Sequence, residues 1–178
     1  MNDTKSHPWI GLDSYDEFNS EIFFGRTEEI NEILSSINYN TQTVIYGPSG
    51  IGKSSIIKAG IFPKVRKNYF LPIYVRLNHN DKTTYTEQVI KTTKEELKEN
   101  SADIENVLKI TDNYERSLWE FFQSNNFWSK DNFPLTPIII IDQFEEIFTL
   151  ARSKRSVDSF FEELLVPLED WLSKELQH

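Results

Sequence analysis

The stretch Gly47-Pro48-Ser49-Gly50-Ile51-Gly52-Lys53-Ser54 fits the pattern G-x-x-x-x-G-K-[ST], and few eight-residue stretches constrain a fold as tightly. Glycines at set positions let the backbone curl its N–H groups around an anion. A helix beginning at the lysine turns the positive end of its dipole toward the same point. The lysine side chain then neutralises charge on β and γ phosphates, and the Ser54 hydroxyl is a ligand for magnesium. The pattern asks for a strand before the loop and a helix after it. Thr43-Val44-Ile45-Tyr46 is β-branched and bounded by Gly47, which predicts a buried strand. From Lys53 onward the spacing predicts a helix with Ile56, Ile57 and Ile61 on its apolar face, ending before Pro63.

Other segments extend this alternation. Before the loop, Thr27 is the expected N-cap of a helix carrying Ile30, Ile33, Leu34 and Ile37 at helical spacing. After it, Phe70 to Leu77 reads as a strand in which Pro72 marks the start or an edge position. Residues 83–99 form a polar, exposed helix, and residues 114–128 a helix bearing Leu118, Trp119, Phe121 and Phe122. Ile138-Ile139-Ile140-Ile141 is apolar throughout and short, as a central strand should be, and Asp142 terminates it. The stripe from Val157 to Leu172 is helical, with Pro167 expected to kink or split it. The expected fold class is α/β: a three-layer P-loop NTPase with a mainly parallel sheet. Residues 1–24 read as an N-terminal arm. Residues 25–178 read as the phosphate-loop domain, with the helical segment 83–128 between strands.

Composition removes several alternatives. The 178 residues suffice for one domain with a real core. No apolar run approaches the length of a membrane span, and the N-terminus has no signal-peptide core. Cysteine is absent, which excludes disulfides and thiolate metal sites and fits a cytoplasmic chain. The three histidines, His7, His79 and His178, are scattered, which argues against a zinc centre. A formal net charge of −9 disfavours nonspecific nucleic-acid binding.

The end of the apolar strand carries the second half of the chemistry. Downstream of a phosphate loop, a strand ending in Asp142 places a carboxylate to hold magnesium. Gln143-Phe144-Glu145-Glu146 then adds two acids. One is the expected base for water, Glu145 as first choice and Glu146 as second, because adjacent helical residues point about 100° apart. The simpler account of both is acids stabilised at a helix N-terminus. Arg152, Lys154 and Arg155 read as a solvated cluster rather than an arginine finger. Trp119, Phe121, Phe122, Phe127 and Trp128 read first as core.

Three segments together resemble the novel STAND NTPases of the first group, a branch of the signal-transduction ATPases. They are Phe23-Phe24-Gly25-Arg26-Thr27-Glu28, Gly47 to Ser55, and Ile141-Asp142-Gln143-Phe144-Glu145-Glu146-Ile147-Phe148. Pro8-Trp9-Ile10-Gly11-Leu12 and Lys58-Ala59-Gly60-Ile61-Phe62-Pro63 are also similar to that family's segments. The resemblance implies an ATP/ADP-binding, Mg2+-dependent switch of bacterial signalling or defence. It implies nucleotide contact by Phe24, Gly25 and Arg26 and by the loop from Gly47 through Ser55, with catalytic roles for Lys53 and an acid at Glu145 or Glu146. It implies metal ligation by Ser54 and Asp142. The family's nucleotide domain continues beyond the equivalent of Asp142 with further strands, a lid and a winged helix. The chain is therefore expected to be a fragment or a truncation, incomplete at its C-terminus, with protein partners or self-association through the missing parts. Two other readings remain beside it: a small-molecule kinase, and a nucleotide-bound interaction module without turnover.

Overall fold

In parallel strands the ladder can form only if the intervening chain crosses back to the starting edge. The one ladder among the described residues is of this kind. β1 (Phe70–Arg76) pairs in parallel with β2 (Thr136–Asp142), in a register running from Phe70 opposite Thr136 to Arg76 opposite Asp142. A computed structural model of the chain describes residues 14–79, 82–100, 117–151 and 153–175, with side chains described up to residue 165. They form two compact units, divided between Asn68 and Tyr69.

In the first unit, Asp16 caps a 3-10 turn (Glu17–Ile22) and forms a capping box with Asn19. Helix α1 (Thr27–Tyr39) comes next, with Arg26 rather than Thr27 at its N-cap. The helix after the phosphate loop begins at Lys53 as expected, as α2 (Lys53–Ser55). It then widens into a π-helical segment (Ile56–Ile61) and continues as α3 (Phe62–Lys67). The expectation that it ends before Pro63 is therefore wrong. The Phe62 N–H donates to the Ile57 carbonyl, five residues back, so the α-helix restarts at Phe62 and Pro63 falls in its first turn. There a missing N–H costs no intrahelical bond.

The segment Thr43–Tyr46 is the larger correction. It forms no strand, and Val44 is 74% and Tyr46 90% exposed. β-branched composition favours a strand only where a neighbouring ladder and a packed face receive it. No strand pairs with this segment among the described residues.

The second unit buries one face of its sheet. Leu71, Ile73 and Val75 of β1 belong to the core, and Ile139 and Ile141 of β2, the register partners of Ile73 and Val75, pack against it. Alternation places Pro72, Tyr74 and Arg76 on the other face with Ile138, Ile140 and Asp142. α4 (Tyr85–Asn100), expected to be exposed, instead buries Tyr85, Val89, Ile90 and Leu97 against the sheet. α5 (Leu118–Ser124) is shorter than the predicted 114–128 helix and adds Leu118 and Phe121 to the core. α6 (Glu146–Leu150) buries Ile147, and α7 (Lys154–Glu175) buries Phe160. α7 is not split at Pro167, since one missing N–H removes only one bond of a long ladder. Its Glu163 carboxylate accepts from the Thr86 hydroxyl at 2.9 Å and from the Leu118 N–H at 2.8 Å, tying α4 and the start of α5 to α7.

The Ile138–Ile141 run is not central among the described residues. β2 is paired on one side, and its four isoleucines are half-buried. The stretch Pro8–Leu12, residue Arg152 and most of the unassigned stretch 100–113 lie outside the described residues. No described helix is long and apolar enough to cross a membrane.

Gly60 leaves no room for a Cβ. A Cβ there would stand 2.6 Å from Ile30 Cδ1 and 2.8 Å from Cγ1, both on one buried side chain of α1. Alanine gains up to about 1 kcal/mol in helix propensity, whereas overpacking costs about 1–3 kcal/mol. Gly60→Ala is therefore expected to lower stability by about 1 kcal/mol in urea unfolding. Combined with Ile30→Ala, it should cost less than the two single changes added, by about 0.5 kcal/mol or more. Strict additivity would contradict the contact.

Candidate functional site

The residues singled out by the motifs lie in two groups, one in each unit. In the first, Gly47 to Ile51 are exposed and Gly52 to Ser55 are half-buried. Gly50 has φ 79° and Gly52 φ 93°, the left-handed region that a side chain disfavours. Gly52 is the N-cap of α2, so the left-handed turn leads straight into the helix. The Ile51 N–H donates to the Pro48 carbonyl at 3.4 Å, closing a turn. The N–H groups of Ser49, Gly50 and Gly52 have no hydrogen-bond partner among the described residues. Lys53 Nζ reaches back and donates to the carbonyls of Gly47, at 2.8 Å, and Pro48, at 3.2 Å. The loop thus presents donors and an ammonium to a small, exposed space, a donor set suited to a polyphosphate. The Ser54 hydroxyl lies in the first helical turn, and a hydroxyl there is a hard oxygen donor of the kind magnesium takes.

Neighbouring segments hold this loop. The Tyr15 N–H donates to Ser55 Oγ at 3.1 Å, and Arg66 Nε pairs with Glu17 at 2.9 Å, so the 3-10 turn is fastened to the helix behind the loop. Arg26 bridges two elements. Its Nη1 bonds Glu29 Oε1 at 2.7 Å, and its Nη2 donates to the Ile51 carbonyl at 2.9 Å. Gly25 has φ 83°, and Phe24 is 77% exposed. The Phe24-Gly25-Arg26 turn is therefore joined to the phosphate loop through the arginine.

In the second group, Asp142 ends β2. The Tyr74 hydroxyl donates to its Oδ2, and the Gln143 N–H donates to its Oδ1 at 3.0 Å. Gln143 itself is left-handed, with φ 54°, and its Oε1 is buried without a hydrogen-bond partner. The two acids beyond it differ sharply. Glu145 is the N-cap of α6 and is exposed. Glu146 is half-buried, its Oε1 lying 3.6 Å from Arg76 Nη2 and its Oε2 3.9 Å from His79 Nε2. His79 Nδ1 lies 3.1 Å from the Tyr85 hydroxyl.

Sequence reasoning does not single out Tyr74, Arg76, His79 or Tyr85. The histidines are far apart in sequence, which gives His79 no weight there. The available signal is positional: Arg76 closes a parallel strand and His79 comes just after it, and ligands of such sheets gather beyond the carboxyl ends of the strands.

The family model described as Novel STAND NTPase 1 matches residues 8–175, nearly the whole chain, and the chain belongs to that family. No curated protein and no solved structure matches it.

The Arg26 contacts make a titration prediction. The hydrogen bond from Arg26 holds the Glu29 carboxyl below its ordinary value of 4.5, helped by a backbone hydrogen bond and by the guanidinium charge. A carboxyl whose folded value is lowered stabilises the fold where it is ionised, above the unfolded value. That contribution is lost as pH falls through the lowered value. The pair is at the surface, so the effect on stability is small and salt-screened. An NMR titration of the Glu29 carboxyl should give a midpoint below 4.5 that returns to the ordinary value in Arg26→Ala. A midpoint unmoved by the substitution would contradict the bridge.

Proposed function

We propose that this member of the Novel STAND NTPase 1 family is an ATP- and ADP-binding module whose nucleotide state controls a signalling switch. The observation that carries the reading is the loop from Gly47 to Lys53. It has left-handed glycines at positions 50 and 52, N–H groups without partners among the described residues at Ser49, Gly50 and Gly52, and a helix that starts at the lysine. An exposed loop of unpartnered donors beside an ammonium is suited to binding phosphates, and a chain that kept it only for structure would gain by satisfying those groups.

In this reading the loop amides bind the phosphates, and Lys53 leaves the carbonyls of Gly47 and Pro48 to neutralise phosphate charge. Ser54, beside the loop, is a residue that would hold magnesium, which would supply positive charge against the phosphate oxygens, and Asp142 is proposed as a magnesium ligand from the motif alone. Tyr74 and the Gln143 N–H keep the Asp142 carboxylate oriented, since each oxygen accepts a bond. Arg26 couples the Phe24-Gly25-Arg26 turn to the loop through Ile51, so a nucleotide that moves the loop also loads α1. In this reading the fold is a three-layer P-loop domain. A role in bacterial signalling or defence rests on the family alone.

The test is magnesium-dependent binding of ATP and ADP by calorimetry, beside Lys53→Ala. A hydrogen bond to a charged group is worth about 1.5–3 kcal/mol, and each 1.4 kcal/mol is tenfold in affinity. The substitution should weaken nucleotide binding by about 10- to 100-fold while the chain stays folded. Folded wild type that binds neither nucleotide would reject the reading.

A further inference from the structure

A trans peptide is planar, and its C=O and N–H point in opposite directions. Whatever holds the oxygen therefore aims the N–H of the next residue. In the phosphate loop the Ile51 carbonyl and the Gly52 N–H belong to one such unit. The Ile51 oxygen accepts from Arg26 Nη2 at 2.9 Å, and the Gly52 N–H has no partner among the described residues. The same guanidinium is anchored through its other terminal nitrogen, since Nη1 donates to Glu29 Oε1 at 2.7 Å. Arg26 is the N-cap of α1 and Glu29 lies in its first turn, so both groups stand on one helix start.

We infer that Arg26 is a positioning residue of the phosphate site: it holds the Ile51 carbonyl so that the Gly52 N–H faces the bound phosphate, and it touches no nucleotide atom itself. This rests on the nucleotide reading above. The bond acts in two ways. It fixes the tilt of one peptide plane, which the left-handed glycines at 50 and 52 would otherwise leave free to turn. Positive charge at the carbonyl oxygen also draws electrons from the N–H, and a polarised N–H is a stronger donor to an anion. Lys53 orients another peptide in the same manner while the loop is empty, because the Pro48 carbonyl that accepts from its Nζ shares a plane with the Ser49 N–H. That bond is given up when the ammonium turns to phosphate. Arg26 keeps its bond, because the Glu29 carboxylate already balances its charge. A lysine at position 26 serves less well. Its single ammonium must be divided between a carboxylate and a carbonyl that the planar fork reaches with separate nitrogens.

The experiment separates orientation from contact by comparing two ligands on the full chain, magnesium-ATP and magnesium-tripolyphosphate, the second of which lacks base and ribose. Affinities come from NMR titration. Arg26→Ala should weaken both ligands by the same factor, about tenfold, and Arg26→Lys by less. Glu29→Gln should weaken both by less than Arg26→Ala and add nothing to it in the double variant. A second readout needs no ligand. The Gly52 amide proton should move upfield in Arg26→Ala and less far in Arg26→Lys, with the Gly50 amide, in a different peptide unit, moving less than either. A loss confined to ATP, with tripolyphosphate binding kept, would overturn the inference in favour of direct contact with base or ribose, and would leave the nucleotide reading standing. A Gly52 amide unmoved by Arg26→Ala would overturn the orientation. A folded wild type that binds neither ligand would reject the nucleotide reading, and with it this role of Arg26, even where the Gly52 amide responds to the substitution.

Discussion

Two strands that run the same way finish at the same edge, and the acidic half of this molecule depends on that constraint. Parallel pairing sets Arg76 beside Asp142 and carries the chain after each strand away from the same end of the sheet. His79 leaves from β1 and Glu146 from β2, and they meet without any closeness in sequence. The core then fixes their angles. Leu71, Ile73 and Val75 bury one face, while Tyr74 and Asp142 share the other and bond there. Tyr85 belongs to the core by its ring and to the polar cluster by its hydroxyl, and so transmits the packing of α4 to His79.

The phosphate loop rests on a different constraint. Its shape needs left-handed backbone at positions 50 and 52, which glycine adopts without strain. The helix behind it must start at Lys53 and remain firm. The π-helical segment lets it do so across Gly60 and Pro63, with Gly60 accepting the close approach of Ile30. Arg26, Tyr15 and Glu17 brace the loop and its helix from the N-terminal side. Several modest bonds hold the loop rather than one strong one.

Much of this was legible in the sequence, and the misses have physical causes. The loop, the helix at Lys53, the strand ending at Asp142 and the family itself come from motif spacing, because each needs particular residues at fixed positions. The Thr43–Tyr46 strand fails because β-branched composition describes what a residue fits, not whether a partner ladder is there to receive it. α4 reads as solvated because its polar residues outnumber its apolar ones, yet Val89, Ile90, Thr93 and Leu97 recur at helical spacing and bury one face. Sequence position offers both Glu145 and Glu146 as candidate acids. What separates them is contact with Arg76 and His79, whose closeness arises from strand register and not from any local pattern.

The central claim is that the backbone donors of the phosphate loop receive the nucleotide, and amide mapping addresses it most directly. In 1H–15N spectra of the full chain titrated with magnesium and ADP, the largest shifts should fall on Ser49, Gly50, Gly52 and Lys53. Smaller shifts should reach Arg26, which bonds the loop at Ile51. Saturable shifts confined to another region, such as the shallow hollow lined by Phe122, Asn125 and Trp128, with the loop amides unmoved, would contradict it.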